Sequence, residues 1–372
     1  MSALYLHIPF CRRACYYCDF HFSTSQQTRQ DVLRAMLQEL IMRSHEITSP
    51  IQSIYLGGGT PSLLEYNELM MIFDQIFLLQ NVLQDAEITI EVNPDDLNRD
   101  KLKQVRNSPV NRFSIGVQSF HDDDLKYMHR IHSARDAEYA IKGAQDNGFD
   151  NISVDLIYGI PTLTHEGWIN NIQKLISFDV PHISAYALTV EQHTPLFHLI
   201  KRKKLNAPLD ASIIRQFNNI AQILPSAGYE HYEISNFAKT GFRSRHNSSY
   251  WQGKAYVGIG PSAHSFDGKN TRRWNVSNNI RYIKGLQGES EWFETEYLSK
   301  ENKLLEWVMT SLRCAEGIRR ESADKFGPGQ FDKFINNATQ MSSHWFNADA
   351  DVLRLTPSGM LMCDYITLQL LN

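Results

Sequence analysis

The chain has 372 residues, 42% of them hydrophobic and 21% charged, with a formal net charge of -4. That length serves two domains or one large barrel with an appendage, and the slightly acidic balance excludes a sequence-wide electrostatic footprint for nucleic acid. The opening MSALYLHIPF has no basic segment ahead of a long apolar one, and no window reaches the ~18 unbroken apolar residues of a membrane-spanning helix, so a cytoplasmic protein is expected.

Six β-rich segments follow one another through the first half, each carrying Gly, Pro or a polar residue near its end: ALYLHIPF, SIYLGGGTP, AEITIEVNP, RFSIGVQSF, NISVDLIYGIP and HISAYALTV. Between them, apolar residues at helical spacing predict helices over 29–47, 65–79, 134–148 and 165–178. Strands apolar on both faces and alternating with helices describe a covered parallel sheet, here a partial (β/α)6 barrel of the TIM-like α/β class. In such a barrel the chemistry gathers where the strands end. The basic run 201–204 reads as a solvated helix end or loop.

From about residue 229 the pattern changes to YEHYEISNFAKTGFRSRHNSSYWQGKAYVGIGPSAHSF, dense in His, aromatic residues and Gly. Helical periodicity returns in KENKLLEWVMTSLRCAEGI, and RLTPSGMLMCDYITLQLL reads as a short strand, a turn and a last apolar helix. The expected organisation is a core barrel over 1–235, a connecting segment over 236–298, and a small, mainly α, winged-helix-like domain over 299–372.

The first strand runs straight into HIPFCRRACYYCDFH, where Cys11, Cys15 and Cys18 crowd three of the chain's five cysteines into eight residues. In a reducing compartment such a group serves metal or redox chemistry before disulfides. Zinc would need a fourth ligand from His7 or His21; an iron–sulfur cluster would keep one iron open; plain buried thiols would do neither. Cys314 and Cys363 read as core residues of the last domain. The next strand ends in Gly57, Gly58, Gly59 and Thr60, a turn whose backbone a ligand can approach closely. Strands three to five deliver Glu91, Gln118 and Asp155, polar residues that interrupt apolar strands and need partners once buried.

The cysteine loop at the end of strand one, with GGGTP at the end of strand two, resembles the radical S-adenosylmethionine (SAM) superfamily over residues 1 to about 235. LYLHIPFC, LGGGTPSLL, AEITIEVNP, SIGVQSF and DLIYGIP together resemble one branch of it, oxygen-independent coproporphyrinogen III oxidase and its relatives. The resemblance implies a [4Fe–4S] cluster on Cys11, Cys15 and Cys18, with SAM chelating the open iron and being cleaved reductively to a 5′-deoxyadenosyl radical. It implies SAM contacts at Tyr5, Tyr17, Gly58, Gly59, Thr60, Glu91, Gln118, Arg130 and Asp155.

Two departures point away from the oxidase. Phe20 stands where that enzyme has a further cysteine, and Cys11 comes too early for its long N-terminal extension; both match the sister family of HemW heme chaperones. The run His246, Asn247, Ser248, Ser249, Tyr250, Trp251 fits HNxxYW, a motif implicated in heme binding in that family, which makes His246 the candidate heme ligand, with His231 and His264 behind it. The family reading implies heme and an apo-hemoprotein acceptor, such as a respiratory enzyme, as partners, an electron donor for the cluster, a homodimer and no nucleic acid. The rival readings are the oxidase itself and a radical SAM enzyme acting on nucleic acid.

Overall fold

The computed structural model describes residues 2–372. Six parallel strands, β1 (Ser2–Ile8), β2 (Ile51–Gly58), β3 (Val82–Val92), β4 (Arg112–Gln118), β5 (Ile152–Tyr158) and β6 (His182–Ala187), pair with their neighbours in sequence order. They match the six apolar segments because their central residues are buried on both faces; every residue of β4 is buried. Helices α1 (Arg29–Met42), α2 (Tyr66–Leu79), α3 (Arg99–Arg106), α4 (Asp122–Tyr127), α5 (Ala134–Asp146) and α6 (His165–Ser177) alternate with the strands. The first stops short of the expected residue 47: Arg43 turns back to pair with Glu39 and Glu46, and a 3-10 turn replaces the last helical turn.

Beyond β6 the chain passes through α7 (Pro195–Lys201) and α8 (Asp210–Ser226) to a hairpin, β7 (Glu230–Glu233) and β8 (Asn236–Ala238). The run 201–204 is exposed where α7 ends. Strand β8 pairs antiparallel with β6. After α9 (Arg245–Trp251), β9 (Tyr256–Ile259) takes the other edge of β1 in parallel. Strands β10 (His264–Phe266) and β11 (Thr271–Asn275) and, after α10 (Asn279–Leu286), β12 (Phe293–Tyr297) continue the sheet antiparallel. One twelve-stranded sheet results, in which β1 and β6 each bond to another neighbour and not to each other. The barrel is therefore partial, and an unclosed barrel leaves a side for another element to wall.

The last segment comprises α11 (Lys300–Arg313), β13 (Ile318–Arg319), α12 (Arg320–Ala323), α13 (Gln330–Thr339), β14 (Phe346–Ala348), β15 (Val352–Leu355), α14 (Pro357–Met360) and α15 (Cys363–Leu371). Its helix–strand–helix–helix–strand–strand order, with β15 between β13 and β14, is that of a winged helix carrying two extra helices. Arg313 ties it to the barrel through the fully buried Glu233 at 2.8 Å. Among the described residues no helix is long and apolar enough to cross a membrane.

Candidate functional site

A cavity of about 1080 Å3 opens at the C-terminal ends of the barrel strands and runs inward between them. Its size slightly exceeds the roughly 300–1,000 Å3 of most small-molecule sites. Around it the structure gathers Cys11, Cys15, Cys18, Tyr17, Gly58, Gly59, Thr60, Glu91, Gln118, Arg130 and Asp155. Tyr5 and His246 are not part of its wall.

The cysteine loop is pinned at both ends and in the middle. Cys11 N donates to Ser23 O at 3.0 Å, Tyr16 N donates to Met128 O at 3.1 Å, and the Tyr16 ring stacks on His129 at 4.3 Å. His129 takes a left-handed conformation, φ +61°, which turns the chain so that Arg130 points back at the cysteines. The guanidinium then donates to Cys15 Sγ at 3.5 Å, to Asn93 Oδ1 at 2.7 Å and to Gly116 O at 2.8 Å. Asn93 Nδ2 donates in turn to Thr60 Oγ1 at 3.1 Å, and that hydroxyl donates to Cys11 Sγ at 3.4 Å. Two of the three sulfurs are thus linked by a chain of donors through Arg130, Asn93 and Thr60.

Donors aimed at sulfur stabilise the thiolate form that a metal cluster requires. Without iron, burial pushes the Cys11 thiol up to about 11 and the Cys18 thiol up to about 12. Neither candidate fourth zinc ligand faces the loop. His7 bonds Tyr5 OH at 3.1 Å and His21 O at 2.8 Å, while His21 bonds Asn279 Oδ1 at 2.8 Å. The donor set therefore suits a three-cysteine cluster.

The glycine turn is required by close approach. A Cβ on Gly59 would sit 2.8 Å from Ile8 O and Phe10 N, and one on Gly58, at φ +105°, would strike the His7 ring at 2.6 Å. Opposite the turn, Glu91 accepts from Tyr55 OH at 2.8 Å and Gly58 N at 3.2 Å. Burial raises its carboxyl to about 7 against those two bonds, with Asp155 raising it further. Burial likewise lifts Asp155 to about 6, opposed by Ser184, Arg112 and Ser114. A register irregularity between β4 and β5 leaves Gln118 at φ +67°, the kind of local distortion that re-aims a side chain beside a site.

Tyr5 lies inside the barrel one layer below, its ring 6.2 Å from that of Tyr55. His246 does not stand free as a heme ligand. It is 1% exposed at the opposite end of the barrel, where Nδ1 bonds Ser53 Oγ at 2.9 Å and Nε2 bonds Tyr250 OH at 2.8 Å. Its backbone N, with that of Arg245, donates to Glu87, so α9 plugs the barrel floor. Of the two other candidates, His231 Nε2 bonds Ile234 O at 3.2 Å, and His264 is exposed on β10 with its ring stacked on Trp274.

Sequence reasoning missed several residues of the wall. Asn93 follows β3 in the segment AEITIEVNP, and a polar side chain at a strand end is the signal that found Gln118. Arg112 begins β4 inside a segment quoted for its apolar residues. Met360, Met362, Cys363 and Tyr365 reach the cavity from the C-terminal domain, with Arg313 beside them. Cys363 is a buried residue of that domain, as expected, and also part of this wall.

The family model for the radical SAM superfamily matches residues 5–175. The heme chaperone HemW of Bacillus subtilis is 34% identical, the match covering 88% of this chain and 87% of that protein. HemW of Escherichia coli is 32% identical over 86% of this chain and 84% of its own length. The zebrafish (Danio rerio) mitochondrial radical S-adenosyl methionine domain-containing protein 1 is 31% identical over 98% and 86%. In fold, the chain is similar to coproporphyrinogen III oxidase (HemN) from Escherichia coli, with a TM-score of 0.84 at 21% identity, covering 99% of this chain and 90% of that one.

Proposed function

The chain belongs to the HemW family of the radical SAM superfamily, and from that premise we propose that it is a cytoplasmic heme chaperone that binds heme and hands it to an apo-hemoprotein. Cys11, Cys15 and Cys18 are the proposed ligands of the [4Fe–4S] cluster that the superfamily implies, and Tyr17, Gly58, Gly59, Thr60, Glu91, Gln118, Arg130 and Asp155 line the proposed SAM site. When bound there, cluster and SAM supply one-electron chemistry.

The observation that carries the reading is the donor chain from Cys15 through Arg130, Asn93 and Thr60 to Cys11, on the wall of the same cavity as the glycine turn and Glu91. Such a chain holds two sulfurs at fixed positions and leaves the cavity side of the loop open. The Glu91 and Asp155 carboxyls, once ionised, suit a cationic amine and ribose hydroxyls respectively. Heme transfer rests on the relatives of the same length that bear the chaperone name. Phe20, 72% exposed beside the cysteines, supports the same branch.

The test uses anaerobically reconstituted full-length protein. Titrate heme, then add an apo-b-type hemoprotein and follow its absorbance. In parallel, incubate with coproporphyrinogen III, SAM and reductant. Stable heme uptake followed by transfer is the expected result; protoporphyrinogen formation would replace this reading with the oxidase.

A further inference from the structure

Arg112 is a buried cation on the cavity wall that the SAM reading does not use. It opens β4 and is 1% exposed, yet it lines the inner part of the cavity with Ser114, Ser153 and Asn247. Its Nε is buried without a hydrogen-bond partner, and the nearest carboxylate oxygen, on Glu87, lies 3.9 Å away. The acids nearby are satisfied by others. Glu87 accepts from the backbone N of Arg245 and of His246, each at 3.0 Å, and from Ser244 Oγ at 3.4 Å, while Asp155 takes the Ser114 hydroxyl. The imidazoles on this floor add no positive charge, because burial and Arg112 hold His182 and His246 far below their usual range.

A buried guanidinium that leaves its hydrogens unused is costly unless something completes it, and its planar fork matches a carboxylate. We propose that Arg112 is the carboxylate-recognising residue of the cavity and that, in the heme chaperone reading on which this rests, it receives a heme propionate. Arg112 stands at the start of β4 and Gln118 at its end, so a propionate held by Arg112 lies at the inner end of the cavity, below the strand-end residues of the SAM site. Recognition through the propionate needs no protein ligand to the iron from His246.

The experiment titrates hemin and its dimethyl ester into cluster-loaded wild-type protein and into Arg112→Gln, with thermal melts of each. Wild type should bind the diacid about tenfold or more tightly than the diester, the usual weight of one charge-assisted hydrogen bond, and the variant should bring that ratio close to one. If Arg112→Gln fails to melt cooperatively, Arg112→Lys is read in its place; it keeps a charge beside Glu87 but loses the fork, and its ratio should fall at least threefold. Equal binding of diacid and diester by wild type overturns the subsite and leaves heme binding intact, and so does a ratio unchanged by the substitution. Binding of neither compound removes the heme reading together with the subsite.

Discussion

Arg130 Nη2 donates to Asn93 Oδ1 at 2.7 Å, and this contact aims the other Nη at the sulfur of Cys15. Asn93 holds Thr60 at the same time, so one carboxamide positions both donors that reach the cysteines. Positive charge and N–H donors near a cluster raise its potential. Arg130→Ala is therefore expected to retain iron and sulfide while lowering the cluster's midpoint by roughly 60 mV, the one-electron equivalent of about 1.4 kcal/mol. Asn93→Leu should shift it the same way by less. An EPR-monitored redox titration measures both, and unchanged midpoints in the two variants would remove the donor chain from the account.

Replacing Cys11, Cys15 or Cys18 singly by Ala should abolish the charge-transfer absorbance after reconstitution, since two cysteines do not hold four irons securely. Cys314→Ala should leave it intact. Cys363→Ala is the sharper control, because Cys363 shares the cavity wall. Loss of the cluster in Cys363→Ala, with any loop variant keeping it, would reassign the ligands.

The barrel was legible because parallel strands buried on both faces leave unbroken apolar runs, and because the turns at their ends need Gly and Pro. The strands of the connecting segment, 236–298, were not: β9, β10 and β11 are three to five residues long, and β9 takes its place by pairing with β1, some 250 residues earlier in the chain. Local periodicity carries no trace of such a partner. The cysteine loop stands out as a candidate metal site by its spacing and the reducing compartment, whereas the Met360–Tyr365 side of the cavity depends on how the last domain docks. HNxxYW shows the opposite limit: the motif displays a histidine, but nothing in it reveals that Ser53 and Tyr250 occupy both ring nitrogens.

Glu91 should cost the ligand-free protein stability at neutral pH. Its carboxyl rises from 4.5 to about 7 in the fold, chiefly through burial, so the folded state binds the proton more tightly than the unfolded chain. Stability from this group is complete below about pH 4.5 and is lost as pH rises through about 7. Glu91→Gln removes that loss and weakens the bond from Gly58 N. Relative to wild type, the variant should therefore gain on the order of 1–2 kcal/mol between pH 5 and pH 8, while binding SAM more weakly at both. Melting curves across that range read the first effect and equilibrium binding the second. A variant that loses ground to wild type as pH rises would refute the assignment.

His246 is expected to be a structural residue of the floor. Its ring stands 5.0 Å from that of Tyr55 and 4.9 Å from that of Tyr250, with a hydrogen bond at each nitrogen, and burial holds its pKa down to about 3. His246→Ala opens a void and strands the Ser53 and Tyr250 hydroxyls where water does not readily reach, a combination that costs about 2–4 kcal/mol. An axial ligand would behave differently. It would have to leave both partners and the plug formed by α9 before meeting iron, and its loss would change the Soret band with little effect on the heme-free protein. Heme titration of wild type and His246→Ala at matched cluster content, with melts of the heme-free proteins alongside, separates the two. The expected outcome is a lower melting temperature, a heme affinity within about threefold of wild type and an unchanged Soret maximum. A shifted Soret band with tenfold weaker heme binding at an unchanged melting temperature would show instead that the floor opens and His246 reaches the iron.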